Sequence, residues 1–348
     1  MQFGLLTLFD YYPEDCSPQE YYRFLLDEIT YAEELGFDSV WMGEHHFCNY
    51  LCPSPQVFAA AVAQRTTRLR LGTAVALLPL HDPVRLAEDY AMVDVLSNGR
   101  LDFGVSRGFQ KTSYDGFERS MDDSRERFAE GIEIIDKAWS QDSLSYEGRY
   151  RRLPKLSVLP RPVQRPRPPI WIGAGPTPES YELAGAHGYN ILLASVFAPI
   201  QTFTPFVKLY RERLQEAGYD PSQVSISTGN HCYVGTSSAQ AKDVWAKHYL
   251  RYFHFVSTLV EEKDYQQAKQ FKAFAGVKTF LEKVDFDKAR QTLAICGDAE
   301  ECADRVAQAK EAVGNTHYWV YTDLGGLPRE EVWASLRRFA EKVMPKFR

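Results

Sequence analysis

The sequence predicts an α/β fold, a closed (β/α)8 TIM barrel with insertions, formed as a single domain by residues 1–348. Eight short apolar runs with the character of strands alternate with amphipathic helices along the chain, which is typical of this barrel. The turn after the first run, Phe9–Pro13, contains no glycine. An open dinucleotide-binding sheet, the competing fold, would have a glycine-rich turn at that place. The closed barrel is therefore favoured.

The predicted strands are short apolar runs, as expected for parallel strands that are buried on both faces. In chain order they are Phe3–Leu8, Ser39–Met42, Leu69–Val75, Leu101–Val105, Pro169–Gly173, Ile191–Leu193, Val224–Val234 and His317–Tyr321. The hydrophobic content of the whole chain, 45%, is sufficient for one large core.

The first helix is the most clearly marked of the predicted helices. Ser17 is its N-cap, Pro18 occupies the first turn, and Glu20 completes a capping box. Leu35-Gly36 supplies the cap at its C-terminal end. The other main predicted helices are Pro83–Leu96, Arg125–Trp139, Pro178–His187, Pro199–Ala217, Ala299–Val313 and Arg329–Val343.

Two segments interrupt the alternation of strands and helices. Residues 142–169 contain a hairpin pattern at Tyr146–Tyr150, followed by closely spaced prolines that exclude a helix. We expect this excursion to cover one end of the barrel. Residues 249–298 form a long, charged, helical insertion between the seventh and eighth strands. Such insertions on a catalytic face are commonly lids, although an extra packing helix without motion explains the pattern equally well.

Composition and charge exclude several functional classes. The formal net charge of -6 and the isoelectric point near 5.8 argue against a nucleic-acid or anionic-membrane surface. No apolar run approaches the roughly 20 residues of a membrane span. Because no signal peptide is visible and the six cysteines have no framework spacing, we expect a cytoplasmic protein with reduced thiols.

The segment Gly43–Phe47 follows the second predicted strand and contains two adjacent histidines, His45 and His46. Since successive side chains at a strand end point to opposite sides, one histidine is expected to face the barrel mouth while the other bonds locally. The histidine that faces the mouth is suited to proton transfer, because an unperturbed imidazole has a pKa near 6.5. Metal binding by His45, His46, Cys48 and Cys52 is a minor alternative, since their spacing matches no common zinc pattern.

Three further clusters follow other predicted strands. Ser106 and Arg107, together with Arg125, are suited to hold a phosphate or carboxylate group. The glycine turn within Gly173–Ser180 opens a helix and offers free amide donors to the same anion. The small residues of Gly72–Val75 would allow a flat ligand to lie against the backbone, although barrel packing alone also explains them.

Taken together, these motifs resemble bacterial luciferase and its wider family of flavin-dependent monooxygenases. The resemblance is dense over residues 1–140 and patchier towards the C-terminus, and its many short matches occur in order. The matching stretches are Phe37–Trp41, Glu44–Phe47, Leu71–Ala74, Leu78-Pro79, His81–Arg85, Glu88-Asp89, Ser97–Arg100, Phe103–Gly108, Asp123–Arg125, Pro169–Ala174 and Val343–Pro345.

The resemblance implies a (β/α)8 barrel that binds reduced FMN, supplied by a separate flavin reductase, and uses O2 to oxidise an organic substrate. An aldehyde, a ketone and a carrier-bound acyl group are the candidate substrates. The resemblance assigns His45 to the flavin–oxygen chemistry and places the flavin phosphate on Arg107 and Arg125. It also implies a cis peptide at Ala74–Val75, beside the flavin ring.

Two departures from the family pattern concern the cofactor site. Ser106 stands where luciferase has a reactive cysteine, which modulates its chemistry without being essential. Gly175-Pro176 replaces a Glu-Ser pair that contacts the phosphate in luciferase. Thr177 or Ser180 is available to substitute for that contact. The cofactor-binding candidates in this turn are therefore Ala174, Gly175, Thr177 and Ser180.

Other functions stay open at the level of the sequence. One is hydride transfer with a deazaflavin (F420) and no oxygen, and another is a non-catalytic partner subunit of a luciferase-like heterodimer. Retention of His45, Arg107 and Arg125 argues against the silent subunit. The small-residue helix face Ala59–Ala63 permits close helix–helix approach and favours a homodimer, although packing against the barrel explains it equally well.

Overall fold

Eight parallel strands close into a barrel in the computed structural model, which describes residues 1–196, 198–260 and 276–348. In order around the ring they are β1 (Gln2–Thr7), β2 (Ser39–Met42), β3 (Arg70–Thr73), β5 (Leu101–Ser106), β8 (Ile170–Ala174), β9 (Asn190–Leu193), β10 (Ile226–Val234) and β12 (His317–Tyr321). Pairing of β12 with β1 completes the ring. The predicted barrel and its eight predicted strands are confirmed.

Four short strands and twelve described helices complete the fold. The strands are β4 (Ala76–Leu77), β6 (Leu144–Glu147), β7 (Arg152–Leu156) and β11 (Ala294–Gly297). The helices are α1 (Pro18–Glu34), α2 (Pro55–Ala63), α3 (Pro83–Leu96), α4 (Lys111–Gly116), α5 (Ser124–Ser140), α6 (Pro178–His187), α7 (Thr204–Glu216), α8 (Ser238–Thr258), α9 (Val277–Glu282), α10 (Phe286–Thr292), α11 (Ala299–Val313) and α12 (Arg329–Arg338). None of these described helices is long and apolar enough to span a bilayer.

The ends of α1 follow the predicted capping pattern. The Ser17 side chain accepts a hydrogen bond from the Glu20 backbone, and the Glu20 carboxylate accepts one from the Ser17 N–H. Gly36 follows the helix with a φ of +89°, a conformation that favours glycine. Elsewhere the helix boundaries differ slightly. A 3₁₀ turn, Ile200–Phe203, precedes α7, and a π turn, Phe339–Val343, follows α12.

Tryptophan side chains fill the barrel near the amino ends of its strands. The indole rings of Trp41 and Trp171 meet edge to face, 5.1 Å apart. A Cβ atom on Gly72 would lie 2.2 Å from a carbon of Trp41, so the bulky ring fits only because residue 72 is glycine. Arg70 and Asp102 form a bidentate ion pair in the same layer. Because this layer is closed, the space for a ligand lies at the carboxyl ends.

The excursion at residues 142–169 begins with the predicted hairpin. Strands β6 and β7 pair in antiparallel fashion beside α5, where the Tyr146 hydroxyl donates to Glu133 at 2.8 Å. The proline-rich part then crosses the amino ends of the strands, because the Gln164 amide donates to the carbonyl of Leu101, the first residue of β5. This part therefore covers the end of the barrel opposite the predicted site.

The insertion at residues 249–298 differs from its predicted helical character in one respect. It begins inside α8, continues through residues 261–275, which lie outside the described ranges, and then forms α9 and α10. It ends in β11, which pairs with the second half of β10. The reason is that β10, with nine residues, extends beyond its barrel neighbours and exposes an edge that β11 covers.

Candidate active site

A cavity of about 450 Å³ lies at the carboxyl ends of the barrel strands, and it brings together the residues predicted from separate loops. Those that line it are His45, Ala74, Val75, Ser106, Arg107, Arg125, Gly175, Thr177 and Ser180. Ala174 does not line it. Its side chain is fully buried, and its carbonyl accepts a hydrogen bond from the Ala194 N–H at 3.0 Å.

Two side chains hold the imidazole of His45 in the cavity wall. The ring of Tyr50 stacks on it, with centroids 4.1 Å apart and an angle of 23° between the planes. The side chain of Gln110 meets its edge, with 3.3 Å between Nδ1 of His45 and Oε1 of Gln110. The loop itself is anchored, because the His45 N–H donates to the Cys52 carbonyl at 3.0 Å. These contacts fix the orientation of the ring.

The pKa of His45 differs from the expectation. Burial lowers it to about 4, although the hydrogen bond to Gln110 and the charge of Glu44 partly offset the effect. The predicted pKa near 6.5 is therefore wrong, because a sequence motif does not reveal how far the imidazolium would be desolvated. At neutral pH the side chain is uncharged and able to accept a proton.

His46 turns away from the cavity and bonds locally, as the alternation of side chains at the strand end predicted. Its Nε2 donates to Oε1 of Glu44 at 2.7 Å, and Nε2 of His81 donates to the same oxygen at 2.6 Å. The other oxygen accepts from the Leu77 N–H at 3.0 Å. Burial alone would raise the pKa of Glu44, but these hydrogen bonds lower it to about 2. The buried carboxylate therefore ties three segments together.

The structure does not bring His45, His46, Cys48 and Cys52 together as one ligand set. Among residues 1–196, 198–260 and 276–348, the one group of three or more potential ligands within 4.8 Å of each other is Glu44, His46 and His81. Both histidines already donate to the glutamate, so hydrogen bonding accounts for this group without an ion.

Two arginines lie at one end of the cavity, Arg107 after β5 and Arg125 in the first turn of α5. Burial lowers the pKa of Arg107, and the nearby positive charge of Arg125 lowers it further. Arg125 forms an ion pair with Glu179, 2.9 Å between Nη1 and Oε1, while its buried Nε has no hydrogen-bond partner among the described residues. Arg125 is paired with Glu179, and the charges of Glu179 and Glu126 both act on Arg107. Two guanidinium groups so close together are suited to an anion.

The N-terminus of α6 borders this basic end. Thr177 is the N-cap residue, but its side chain makes no capping hydrogen bond. Because the first amide groups of a helix lack intrahelical acceptors, the N–H groups here are suited to an anion. Apart from its chain neighbours, no described residue has an atom within 4 Å of a Cβ atom placed on Gly175, so these residues leave the space in front of the turn open.

Backbone and small side chains form the wall between the two loops. The peptide Ala74–Val75 is cis, as the resemblance implied. A Cβ atom on Gly173 would lie 2.9 Å from Val75 and 3.1 Å from the Ser106 side chain. Strand β8 therefore approaches these residues closely because residue 173 is glycine. Val75 and Ser106 are left facing the cavity.

A second part of the cavity lining, called the apolar end below, consists of hydrocarbon and aromatic side chains. Part of it comes from strands β1, β9 and β12 and the residue after β1, namely Leu6, Leu8, Leu192 and Trp319. The rest comes from the C-terminal part of α8 and the residues that follow it, namely Tyr252, Val256, Leu259 and Val260. The Tyr50 hydroxyl donates to that of Tyr252 at 3.0 Å. Within the described ranges, the charged residues that line the cavity are Glu44, Arg107, Arg125 and Glu179. None of these belongs to the apolar set, so this end suits an uncharged group.

Sequence reasoning missed three residues that contact the predicted ones, namely Tyr50, Gln110 and Glu179. Gln110 lies three residues after Arg107, in a loop that the sequence had identified, but the sequence did not show that its side chain points towards His45. Glu179 lies within the predicted glycine turn and helix start. Tyr50 had no signal, because it reaches His45 only through the return of an irregular loop.

A model of the luciferase-like monooxygenase family matches residues 1–316. The chain belongs to this family. It is 28% identical over 350 residues to the oxygenase component of the flavin-dependent trigonelline monooxygenase of Acinetobacter baylyi, covering 100% of this chain and 96% of that one. The crystal structure of monooxygenase RslO1 from Streptomyces bottropensis is similar throughout, with a TM-score of 0.86, 30% identity and complete coverage of both chains.

Two more distant structures share the barrel of this luciferase-like protein. One is the oxygenating constituent of 3,6-diketocamphane monooxygenase from Pseudomonas putida in complex with FMN, with a TM-score of 0.80, 19% identity and coverage of 99% and 98%. The other is the coenzyme F420-dependent tetrahydromethanopterin reductase of Methanopyrus kandleri, with a TM-score of 0.75, 20% identity and coverage of 100% and 99%. At these identities the likeness shows the fold alone.

Proposed function

We propose that this family member is the oxygenase of a two-component system, which takes FMNH2 from a separate flavin reductase and uses O2 to oxidise an uncharged organic substrate. The observation that carries the proposal is one cavity with a basic end, a histidine in its wall and an apolar end. The similarity to a relative named as a flavin-dependent oxygenase component supports it.

The residues at the basic end fit the phosphate of FMN. Arg107 and Arg125 both line the cavity and would neutralise its charge. Ser106, Thr177 and the amide groups at the start of α6 would supply further hydrogen bonds. The open space at Gly175 would help to admit the group.

The wall formed by Ala74 and Val75 would then carry the flavin ring near His45. Bound reduced flavin would supply the electrons for activation of O2. Neutral His45 would accept a proton or a hydrogen bond at the reacting end, since its pKa lies below the working pH. Apolar side chains from α8 and β12 would exclude water from this region.

The apolar end limits the substrate class. The described side chains at that end are apolar and favour an uncharged group, since burial of an unpaired charge is costly. An aldehyde, a ketone or a carrier-bound acyl group meets this requirement, with its carbonyl oxygen within reach of polar atoms and its hydrocarbon part against Val256 and Leu259.

We also propose a homodimer through α2 and α3, which pack side by side. The predicted small-residue face serves partly for internal packing, since Ala59 and Ala63 are buried. The outer surface is nonetheless apolar. Val57 is 68% exposed and Met92 is 50% exposed, and Phe47 lies in a loop close to α4 with 63% exposure. Covering such side chains by a second copy would stabilise both.

The test is to mix the protein with photoreduced FMN without oxygen, add oxygen, and follow the appearance of oxidised flavin. We expect saturable binding of FMNH2 and a lag in its oxidation relative to free FMNH2. Tight binding of reduced deazaflavin without binding of FMNH2 would instead support the hydride-transfer alternative. Unchanged turnover in a His45→Ala variant would support a non-catalytic subunit.

A further inference from the structure

The hydrogen bond between His45 and Gln110 has a chemical direction. Gln110 is buried, and its Oε1 lies 3.3 Å from Nδ1 of His45. An amide oxygen only accepts hydrogen bonds, so the contact requires a hydrogen on Nδ1. A neutral imidazole carries one N–H, and the hydrogen on Nδ1 therefore leaves Nε2 with a free lone pair.

His45 lines the cavity, and Nε2 is the ring nitrogen that does not contact Gln110. A Cβ atom placed on Gly43 would lie 3.4 Å from Nε2 of His45 and 3.4 Å from the carbonyl oxygen of Ala74. Nε2 and the Ala74 carbonyl oxygen therefore border the same small space, which glycine at position 43 leaves free of a side chain. Stacking on Tyr50 holds the plane of the ring.

We propose that Gln110 is a positioning residue, which holds His45 in the neutral tautomer with hydrogen on Nδ1 and so presents Nε2 as an acceptor to a ligand in the cavity. The tautomer is a property of the protein alone. Its consequence for turnover rests on the proposed flavin-dependent function.

The surroundings of His45 favour this neutral state. Glu44 and His46 flank it on its own loop, and the phenols of Tyr50 and Tyr252 face it from the wall. Burial keeps the pKa of His45 near 4, and burial also raises the pKa of both tyrosines well above 10. At neutral pH, therefore, no neighbouring phenol is ionised and His45 is not protonated.

The same arrangement assists the transfer of a proton from a ligand. When Nε2 accepts a proton, the bond from the ligand atom to hydrogen breaks, the Nε2–H bond forms, and the positive charge spreads over the ring. Nδ1–H then donates more strongly to Gln110, because charge-assisted hydrogen bonds are the stronger ones. Gln110 also lines the cavity, and its amide nitrogen has no protein partner within the described residues. That nitrogen is available to donate to the ligand.

The test is 15N NMR of the ligand-free protein labelled at its eight histidines, with the His45 signals assigned from a His45→Asn variant. We expect Nε2 of His45 to show the resonance of an unprotonated ring nitrogen at pH 7, and Nδ1 that of an N–H. Gln110→Leu should convert this into a mixture of tautomers. Gln110→Glu should retain the tautomer and raise the pKa of His45, because a carboxylate stabilises the imidazolium. Gln215→Leu, on the exposed surface of α7, is the matched control and should change nothing.

Hydrogen on Nε2 in the wild type, or an unchanged tautomer in Gln110→Leu, would overturn the proposal. If Gln110→Leu does not fold, the Gln110→Glu variant decides, because an unchanged His45 pKa contradicts the proposed contact. Turnover is a separate readout. Gln110→Leu should lower kcat roughly fivefold, the value of one hydrogen bond, with little change in flavin affinity. Failure of the wild type to bind FMNH2 would reject the proposed function while leaving the tautomer result intact.

Discussion

Arg125 and Glu179 form an ion pair at the mouth of the cavity, with 2.9 Å between Nη1 and Oε1. The carboxylate of Glu179 therefore uses one of the guanidinium donors that we expect to bind a phosphate. Glu179 lies at the start of α6, where the helix amides also favour an anion. An incoming phosphate must share or displace this partner.

Glu179→Gln should therefore bind FMN more tightly. The substitution removes a negative charge beside the phosphate site, and since the pair is partly exposed, the gain should be roughly two- to fivefold. Fluorescence titration with FMN measures it, and the difference should shrink at high salt. Weaker binding by Glu179→Gln would indicate instead that the carboxylate orients Arg125.

Arg107→Ala should weaken binding of FMN by roughly ten- to a hundredfold, which corresponds to the loss of one charged hydrogen-bonding group. Riboflavin, which has the same ring without the phosphate, is the matched control ligand. Its affinity should hardly change, because Arg107 lies at the basic end of the cavity. Equal losses for both ligands would show that Arg107 supports the fold of the site instead of binding the phosphate.

Glu44→Gln should lower the free energy of unfolding by about 2–3 kcal/mol near pH 6, because it removes a buried carboxylate from two imidazole donors. The pKa of Glu44 is lowered from 4.5 to about 2. Its contribution to the free energy of unfolding is therefore present above pH 4.5 and is lost as the pH falls towards 2. The pKa of His81 is raised from 6.5, so its contribution is present below that pH and is lost at higher pH.

Urea unfolding of wild type and Glu44→Gln across this pH range measures the difference. It should be largest between about pH 4.5 and 6.5. A constant difference over the whole range would show that the hydrogen-bonded triad of Glu44, His46 and His81 is not the source of the stability.

A charge on the outer faces of α2 and α3 should separate the proposed homodimer. The double variant Val57→Glu, Met92→Lys loses apolar contact and places charges in the interface, and its dimer dissociation constant should rise by at least roughly a hundredfold. Analytical ultracentrifugation measures it. Leu159→Glu is the control, since Leu159 is also exposed but belongs to the excursion between β7 and β8. A monomeric wild type at micromolar concentration would dismiss the dimer.

The strand pattern was accessible from the sequence because buried parallel strands are short apolar runs between amphipathic helices. Strand β11 was not, since Ala294–Gly297 is short and, among the described strands, pairs only with the extended end of β10. The helix α4, with six residues, is likewise too short to show the helical periodicity of apolar residues. These elements depend on tertiary neighbours more than on their own residues.

The predicted site followed from one rule, that functional residues lie after the carboxyl ends of barrel strands. The rule located His45, Arg107 and the turn at Gly175. It could not locate Tyr50, which reaches His45 through loop packing, or the ion pair of Arg125 with Glu179. The low pKa of His45 was also inaccessible, because it depends on burial by residues distant in the chain.

The central claim is that one cavity binds reduced flavin with its phosphate at the basic end. A crystal structure obtained after anaerobic soaking with reduced FMN tests it most directly. We predict density for the phosphate within hydrogen-bond distance of Arg107 and Arg125, and for the ring against Ala74–Val75 beside His45. Flavin bound elsewhere, or a reversed orientation with the phosphate at the apolar end near Val256, would contradict the claim.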